Sequence, residues 1–286
     1  MGLSINQNIA AVNSYRNLSN TQNDLSKSLE KLSSGFRINR AADDAAGLAI
    51  SEGLRSQVGG LKVAARNAQD GISVVQTAEG ALTEVHAILQ RVRDLSVQGA
   101  NDSNSAEART NIETEITSLG TELDRISEST NFNGTKLLNG GTSGAASTAT
   151  VSLAFQVGAD GDANSTITVD ISNVASIVSG IKDLKVSGGT SANLTAQDSI
   201  NAVDTAIEAI STTRAGLGAM QNRLEHTIKN VNVAVENLSA SESRIRDTDM
   251  AQEMVSFTRA QILSQAGTAM LAQANQIPQG VLSLLR

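Results

Sequence analysis

Apolar residues recur every seventh position in several separate stretches of this sequence, and that spacing constrains what the chain can become. Ala11, Leu18, Leu25 and Leu32 form one series, with Tyr15 and Leu29 between them. Leu54, Leu61, Ala68, Val75, Leu82 and Leu89 form a second. Ile112, Ile116, Leu119, Leu123 and Ile126 alternate steps of four and three. Leu217, Leu224, Val231, Leu238 and Ile245 make the last, with Ile228 and Val235 interleaved. A heptad repeat places one apolar stripe along a helix and calls for a partner helix to cover it. The second series, about 45–98, would extend roughly 80 Å as one helix, a rod and not a ball. Gly59-Gly60 is where that helix is expected to break, because each interior glycine costs about 1 kcal/mol.

The 286 residues include one Tyr, four Phe and no Trp, so few side chains offer large burial. A core without them relies on many small aliphatic contacts, which suits slender helices packed through Ala, Val, Leu and Ile. Between about 140 and 195 the pattern changes. Val151, Leu153, Phe155 and Val157 alternate with small or polar residues, as do Ile167, Val169 and Ile171. A period of two reads as two strands, and Ala159-Asp160-Gly161-Asp162-Ala163-Asn164 supplies turn residues for a hairpin between them. The expected fold is therefore mainly α: long heptad-patterned coiled-coil helices from both chain ends, with a small inserted β-hairpin region.

Several classes of function are disfavoured. A net charge of −7 provides no basic field for a phosphate backbone, so nucleic acid is not an expected partner. No cysteine is present to form a disulfide or a thiolate metal site. Nothing approaches the ~18 consecutive apolar residues of a membrane span, so membrane insertion is not expected. The first residues, Met1-Gly2-Leu3-Ser4-Ile5, have neither the basic nor the apolar region of a secretory signal. His86 and His226 stand apart and outside any His-Glu-x-x-His zinc motif. Asp160-Gly161-Asp162-Ala163-Asn164 only faintly suggests a calcium loop, since Ile171 stands where the closing Glu belongs. Asp43-Asp44 and Asp247-Thr248-Asp249 read as helix caps and joints. No catalytic set, metal or cofactor is expected.

The two ends are the most distinctive regions. From Ala260 to Leu285 no residue is charged. Apolar positions there are spread too widely around a helix for one stripe, which calls for neighbours on several sides. Residues 1–33 are similar, with few charges and an Asn/Ser-rich face. A single seam between these ends buries little against the ~1–2 kcal/mol per residue of backbone ordering. Both ends are therefore expected to be molten in the free subunit and to fold on assembly. The residues expected to drive it are Ile5, Ile9, Leu18, Leu25, Leu29 and Leu32 at the start of the chain. Met254, Phe257, Ile262, Met270, Leu271, Ile277, Val281 and Leu284 are their counterparts at its end.

Longer motifs add a resemblance. Residues 264–285, from Ser264-Gln265-Ala266-Gly267 through Ala274-Asn275-Gln276-Ile277-Pro278 to Leu284-Leu285, are similar to the C-terminus of bacterial flagellins almost residue for residue. Ile5-Asn6-Gln7-Asn8, Leu29-Glu30-Lys31-Leu32-Ser33-Ser34-Gly35 and Asn39-Arg40-Ala41-Ala42-Asp43-Asp44-Ala45-Ala46-Gly47 match in order. So do Gln90-Arg91-Val92-Arg93-Asp94-Leu95, Phe132-Asn133-Gly134 and Gln156-Val157-Gly158-Ala159. The resemblance covers about 1–172 and 198–286.

That family implies a terminal coiled-coil domain from 1–42 and 245–286 lining a tube. It implies a helical domain with a β-hairpin over 43–244, and leaves a short variable segment at about 173–196 in place of outer domains. It implies a homo-oligomeric helical filament for swimming, exported unfolded by a type III apparatus without a cleaved signal. Its expected partners are an export chaperone on about 254–286, filament cap and hook-junction proteins, and a host Toll-like receptor at Arg91, Leu95 and Glu115. Asp94 and Ser96 depart from the usual Glu and Ala beside that patch. The Ser/Thr-rich stretch 141–150 is a candidate for O-linked sugars, as in many of these proteins. Two other readings share parts of the pattern: the hook–filament junction protein, and a coiled-coil signalling hairpin, which would need membrane spans and no β insert.

Overall fold

The computed structural model describes residues 8–140, 150–186 and 192–284, the side chains of 192–196 and 277–284 excepted. Among the described residues six α-helices run in the order α1 (Ile9–Ser34), α2 (Ala45–Gly99), α3 (Ala106–Ser129), α4 (Val174–Val178), α5 (Ala192–Arg246) and α6 (Met250–Leu284). Between α3 and α4 lie two hairpins, β1 (Asn131–Phe132) with β2 (Thr135–Lys136) and β3 (Val151–Gln156) with β4 (Thr166–Ile171). The chain is mainly α, with long helices from both ends and a small β region between them. It divides into two compact units, 1–57 with 236–286 and 58–235, so the division falls inside α2 and α5.

In the second unit the heptad positions form the core. Ala68, Val75, Leu82 and Leu89 of α2, Ile112, Ile116 and Leu123 of α3, and Leu217, Leu224 and Val231 of α5 are buried. The α5 series reaches back two further heptads to Ile210 and Val203, also buried. Gly59-Gly60 does not break α2, which is continuous across it. A Cβ on Gly60 would stand 3.0 Å from the Cβ of Ala159 in the hairpin turn, so glycine there admits close approach without ending the helix.

The β3–β4 hairpin pairs its apolar positions directly: Val151 with Ile171, Leu153 with Val169, Phe155 with Ile167. Such pairs put one apolar face against the helices. Phe155 and Leu224 both lie 3.3 Å from where a Gly71 Cβ would be, so the hairpin rests over α2 and α5 at that glycine. At the turn, the Gln156 side-chain amide donates to the carbonyls of Gly158 (3.0 Å) and Asp160 (2.7 Å).

The segment after β4 is not merely a spacer. Val174, Val178, Ile181 and Val186 are fully or almost fully buried in the same core. Glu113 of α3 accepts the Val186 N–H at 2.7 Å. A Gly120 Cβ would lie 2.8 Å from Lys182 Cα, so the strap runs directly over α3. The short β1–β2 hairpin was not among the expected strands. Its signal was present, since Asn133-Gly134 takes the two positive φ angles, 48° and 82°, of a two-residue hairpin turn.

Candidate functional site

In the first unit α1 packs against α6. Their antiparallel register is marked along its length. The Asn8 amide donates to the Ala274 carbonyl at 2.8 Å, Leu18 Cδ1 lies 3.2 Å from where a Gly267 Cβ would be, and Lys31 stands 3.9 Å from Glu253. At the joint, Arg37 N–H donates to the Arg246 carbonyl (2.6 Å) and Thr248 N–H to that of Gly35 (3.0 Å). Gly35 closes α1 with φ 76°, a left-handed cap suited to glycine.

The acidic pairs act as caps. Asp44 accepts the Gly47 N–H at 2.9 Å, and Asp249 accepts those of Ala251 (2.9 Å) and Gln252 (3.2 Å). Asp43 accepts from the backbone of Arg40 and Asn39, and chiefly the Arg40 bond holds its carboxyl below the ordinary range. The Arg246 guanidinium lies 4.8 Å over the Phe36 ring and bonds Glu52 at 2.7 Å.

The seam is narrow. On α1 the covered positions at regular spacing are Ala11, Ser14, Leu18, Thr21, Leu25, Ser28 and Leu32, with Glu30 and Lys31 also partly covered near its end. On α6 they are Glu253, Phe257, Ala260, Ser264, Gly267, Leu271 and Ala274. Both follow alternating steps of three and four, with leucines of α1 facing a stripe rich in small residues on α6. This stripe escapes a search for leucines; it is legible only as Ala, Ser and Gly at heptad spacing.

The expected assembly residues therefore divide. Leu18, Leu25, Leu32, Phe257 and Leu271 lie half-buried on the seam. Ile9, Leu29, Met254, Ile262 and Met270 face outward, between 50% and 65% exposed. Val12, Tyr15, Met250, Val255 and Leu263 join them on the outer faces. Met254, Val255, Thr258, Ile262 and Leu263, together with Arg259, line an open and mostly apolar hollow along α6. Ile5 lies outside the described residues, as do the side chains of Ile277, Val281 and Leu284 and the Ser/Thr stretch 141–149.

The other expected patch lies in the second unit. Arg91 Nη2 meets Glu115 Oε1 at 2.6 Å, its Nε reaches the same oxygen at 3.0 Å, and both side chains are exposed. Leu95, only 2% exposed, turns into the core, so a partner on this face meets Arg91 and Glu115 and not the Leu95 side chain. Two residues along α2 from Arg91, about half a turn, Arg93 bonds Asp204 of α5 at 2.6 Å. His86 and His226 sit on α2 and α5, with His86 bonded at 3.0 Å to Gln90. Among the described residues no three His, Asp or Glu side chains converge on a metal position, and no helix is long and apolar enough to cross a membrane.

Two family profiles match the sequence: the bacterial flagellin N-terminal helical region over residues 5–143, and the bacterial flagellin C-terminal helical region over residues 200–285. A flagellin of Halalkalibacterium halodurans is 51% identical over 282 residues, covering 99% of each chain. A flagellin of Bacillus subtilis is 51% identical over 306 residues, again covering 99% of each. A crystal structure of Bacillus cereus flagellin matches 62% of this chain and 94% of its own, with 32% identity and a TM-score of 0.48.

Proposed function

Because this chain belongs to the bacterial flagellin family, we propose a division of labour between its two units in building the filament. The protein is a structural subunit of the extracellular flagellar filament and self-assembles into a homo-oligomer; motility follows from the flagellum. The second unit, with its continuous core, is the part that keeps its shape alone. The terminal helices are the cohesive part. The observation that carries this reading is the imbalance on α1 and α6: a thin seam of leucines against small residues, with Ile9, Met254, Ile262 and Met270 left outward.

Outward apolar side chains on a low-charge helix gain most when neighbouring subunits cover them. In the free subunit the same helices have little to offset their ordering entropy, so they are loose before assembly and fold against neighbours. The terminal domain comprises 1–42 and 245–286, and the remainder carries the hairpin, with a short variable segment at about 173–196. No step of this function requires catalysis, a metal or a cofactor.

The same end serves an export chaperone, which holds about 254–286 through its apolar faces until the chain leaves the cell without a cleaved signal. Filament cap and hook-junction proteins engage the assembled ends. Arg91 and Glu115 present a charged pair to a host Toll-like receptor. The junction-protein and signalling alternatives lose ground because the identity to flagellins extends over essentially the whole chain.

The test is negative-stain electron microscopy of full-length protein in filament-promoting salt beside a truncation lacking 255–286. Long uniform tubes from the full chain alone are expected. Tubes from both, or compact particles from both, would remove the terminal helices from this role.

A further inference from the structure

The tip of the β1–β2 hairpin carries a chemistry of its own. Asn133 and Gly134 form the whole turn, both exposed, both at positive φ. Nothing lies within 4 Å of where a Gly134 Cβ would be, so nothing crowds the peptide joining them. Two residue pairs zip the hairpin, Asn131 with Lys136 and Phe132 with Thr135, and the Leu137 N–H donates to the Thr130 carbonyl at 3.1 Å where the chain enters the core at the fully buried Leu137 and Leu138.

We propose that Asn133-Gly134 is a site of spontaneous deamidation and isoaspartate formation. The Gly134 backbone nitrogen attacks Asn133 Cγ and gives its proton to solvent. A new Cγ–N bond closes a five-membered succinimide, the Cγ–Nδ2 bond breaks, and the side-chain nitrogen leaves as ammonia. Water then opens the ring. Attack at Cγ breaks the new bond and leaves aspartate at 133; attack at the main-chain carbonyl breaks the original peptide bond and leaves the chain running through Cγ as isoaspartate. No oxidant or reductant enters; water is consumed and ammonia released.

Glycine favours this step because no Cβ shields its nitrogen. The turn geometry itself is not the attacking one, so the tip must first open. Opening breaks one or two exposed hydrogen bonds and leaves the buried Leu137 and Leu138 in place. The folded protein should therefore react about ten- to a hundredfold more slowly than an open peptide. The product matters structurally. Isoaspartate adds one carbon to a main chain whose two-residue turn matches the twist of its strands. Neighbouring Phe132, packed against the core, then loses its fixed approach. The chain has a second Asn-Gly pair, Asn139-Gly140, which is half-buried and serves as an internal comparison.

The experiment ages purified full-length protein in warm neutral buffer, treats samples with hydroxylamine, which cleaves succinimides, and maps peptides by mass spectrometry. A synthetic peptide spanning 130–137 ages alongside. Expected are fragments divided between 133 and 134, and paired aspartyl and isoaspartyl peptides one mass unit heavier at 133. Asn133→Gln should abolish them. Gly134→Ala should slow them at least tenfold even though alanine at φ 82° loosens the turn, which separates the chemistry from simple opening. An unchanged Asn133 after roughly a hundred half-lives of the peptide reaction, conversion only in urea, or cleavage confined to 139–140 would overturn the assignment.

Discussion

Replacing Ile262 with Asp separates assembly from folding. Ile262 is 61% exposed on the folded α6 and lies beside, not on, the α1–α6 seam. Fully burying an isoleucine contributes about 1.5–3 kcal/mol, so the covered two-fifths is worth ~1 kcal/mol to the subunit itself. The helix-propensity change adds a few tenths. If neighbouring subunits cover the remainder, assembly loses roughly 1–2 kcal/mol of apolar burial. It also incurs a further ~1–3 kcal/mol for enclosing a polar group without a partner. At 1.4 kcal/mol per tenfold, that ~2–5 kcal/mol should raise the critical concentration for polymerisation roughly thirtyfold to a few thousandfold.

The assay is sedimentation of polymer across a concentration series, with urea unfolding of the monomer followed by circular dichroism. Leu89→Ala is the mirror control. Leu89 is fully buried in the second unit, so truncation should cost ~2–5 kcal/mol of subunit stability. Leu271→Asp is less discriminating, because Leu271 lies on the seam and its loss would unseat α1 as well as any neighbour. Polymerisation of Ile262→Asp at the unmodified critical concentration would refute the reasoning. So would an unfolding midpoint lowered as far as that of Leu89→Ala.

Gly120→Val should destabilise the second unit by ~1–3 kcal/mol, because its side chain meets the Lys182 backbone and displaces the strap; the urea midpoint reads this. Arg91→Ala should change stability by less than ~1 kcal/mol, since its pair with Glu115 is exposed, yet reduce a Toll-like receptor reporter response to pure monomer. Asp43 has a depressed carboxyl pKa, so the loop it holds is stabilised above the ordinary carboxylate range. That contribution is lost as pH falls through the lower folded value. Carboxyl NMR titration should place Asp43 below the ordinary aspartate range, and Asp43→Asn should remove the acid-side loosening of 39–44.

Much of the fold was legible because it is periodic. Heptads on α2, α3 and α5 name their own buried residues, since seven residues bring a side chain back almost to the same side of a helix. The alternation of β3 and β4 names their apolar face for the same kind of reason. The caps Asp44 and Asp249 were legible because a carboxylate before a helix has a local job, accepting N–H groups that the helix leaves free.

What the sequence did not reveal depends on neighbours distant along the chain. Gly60 reads as a helix breaker until Ala159 is found against it; the approach of the hairpin turn, not local propensity, makes glycine the residue that fits. Residues 173–186 fall in the stretch of about 173–196 that the family resemblance leaves as a variable segment, and nothing in the sequence assigned them a partner; in the fold α3 receives their apolar side chains as core. Leu95 belongs to the expected contact patch with Arg91 and Glu115, which face solvent, while its own side chain is buried. On α6 the sequence shows apolar residues around much of the helix, and only the register with α1 assigns Gly267 and Leu271 to the seam and Ile262 and Met270 to the outside. Periodicity is a property of one helix and can be read along it; which side a partner covers depends on a second surface, and that is decided only when the two are brought together.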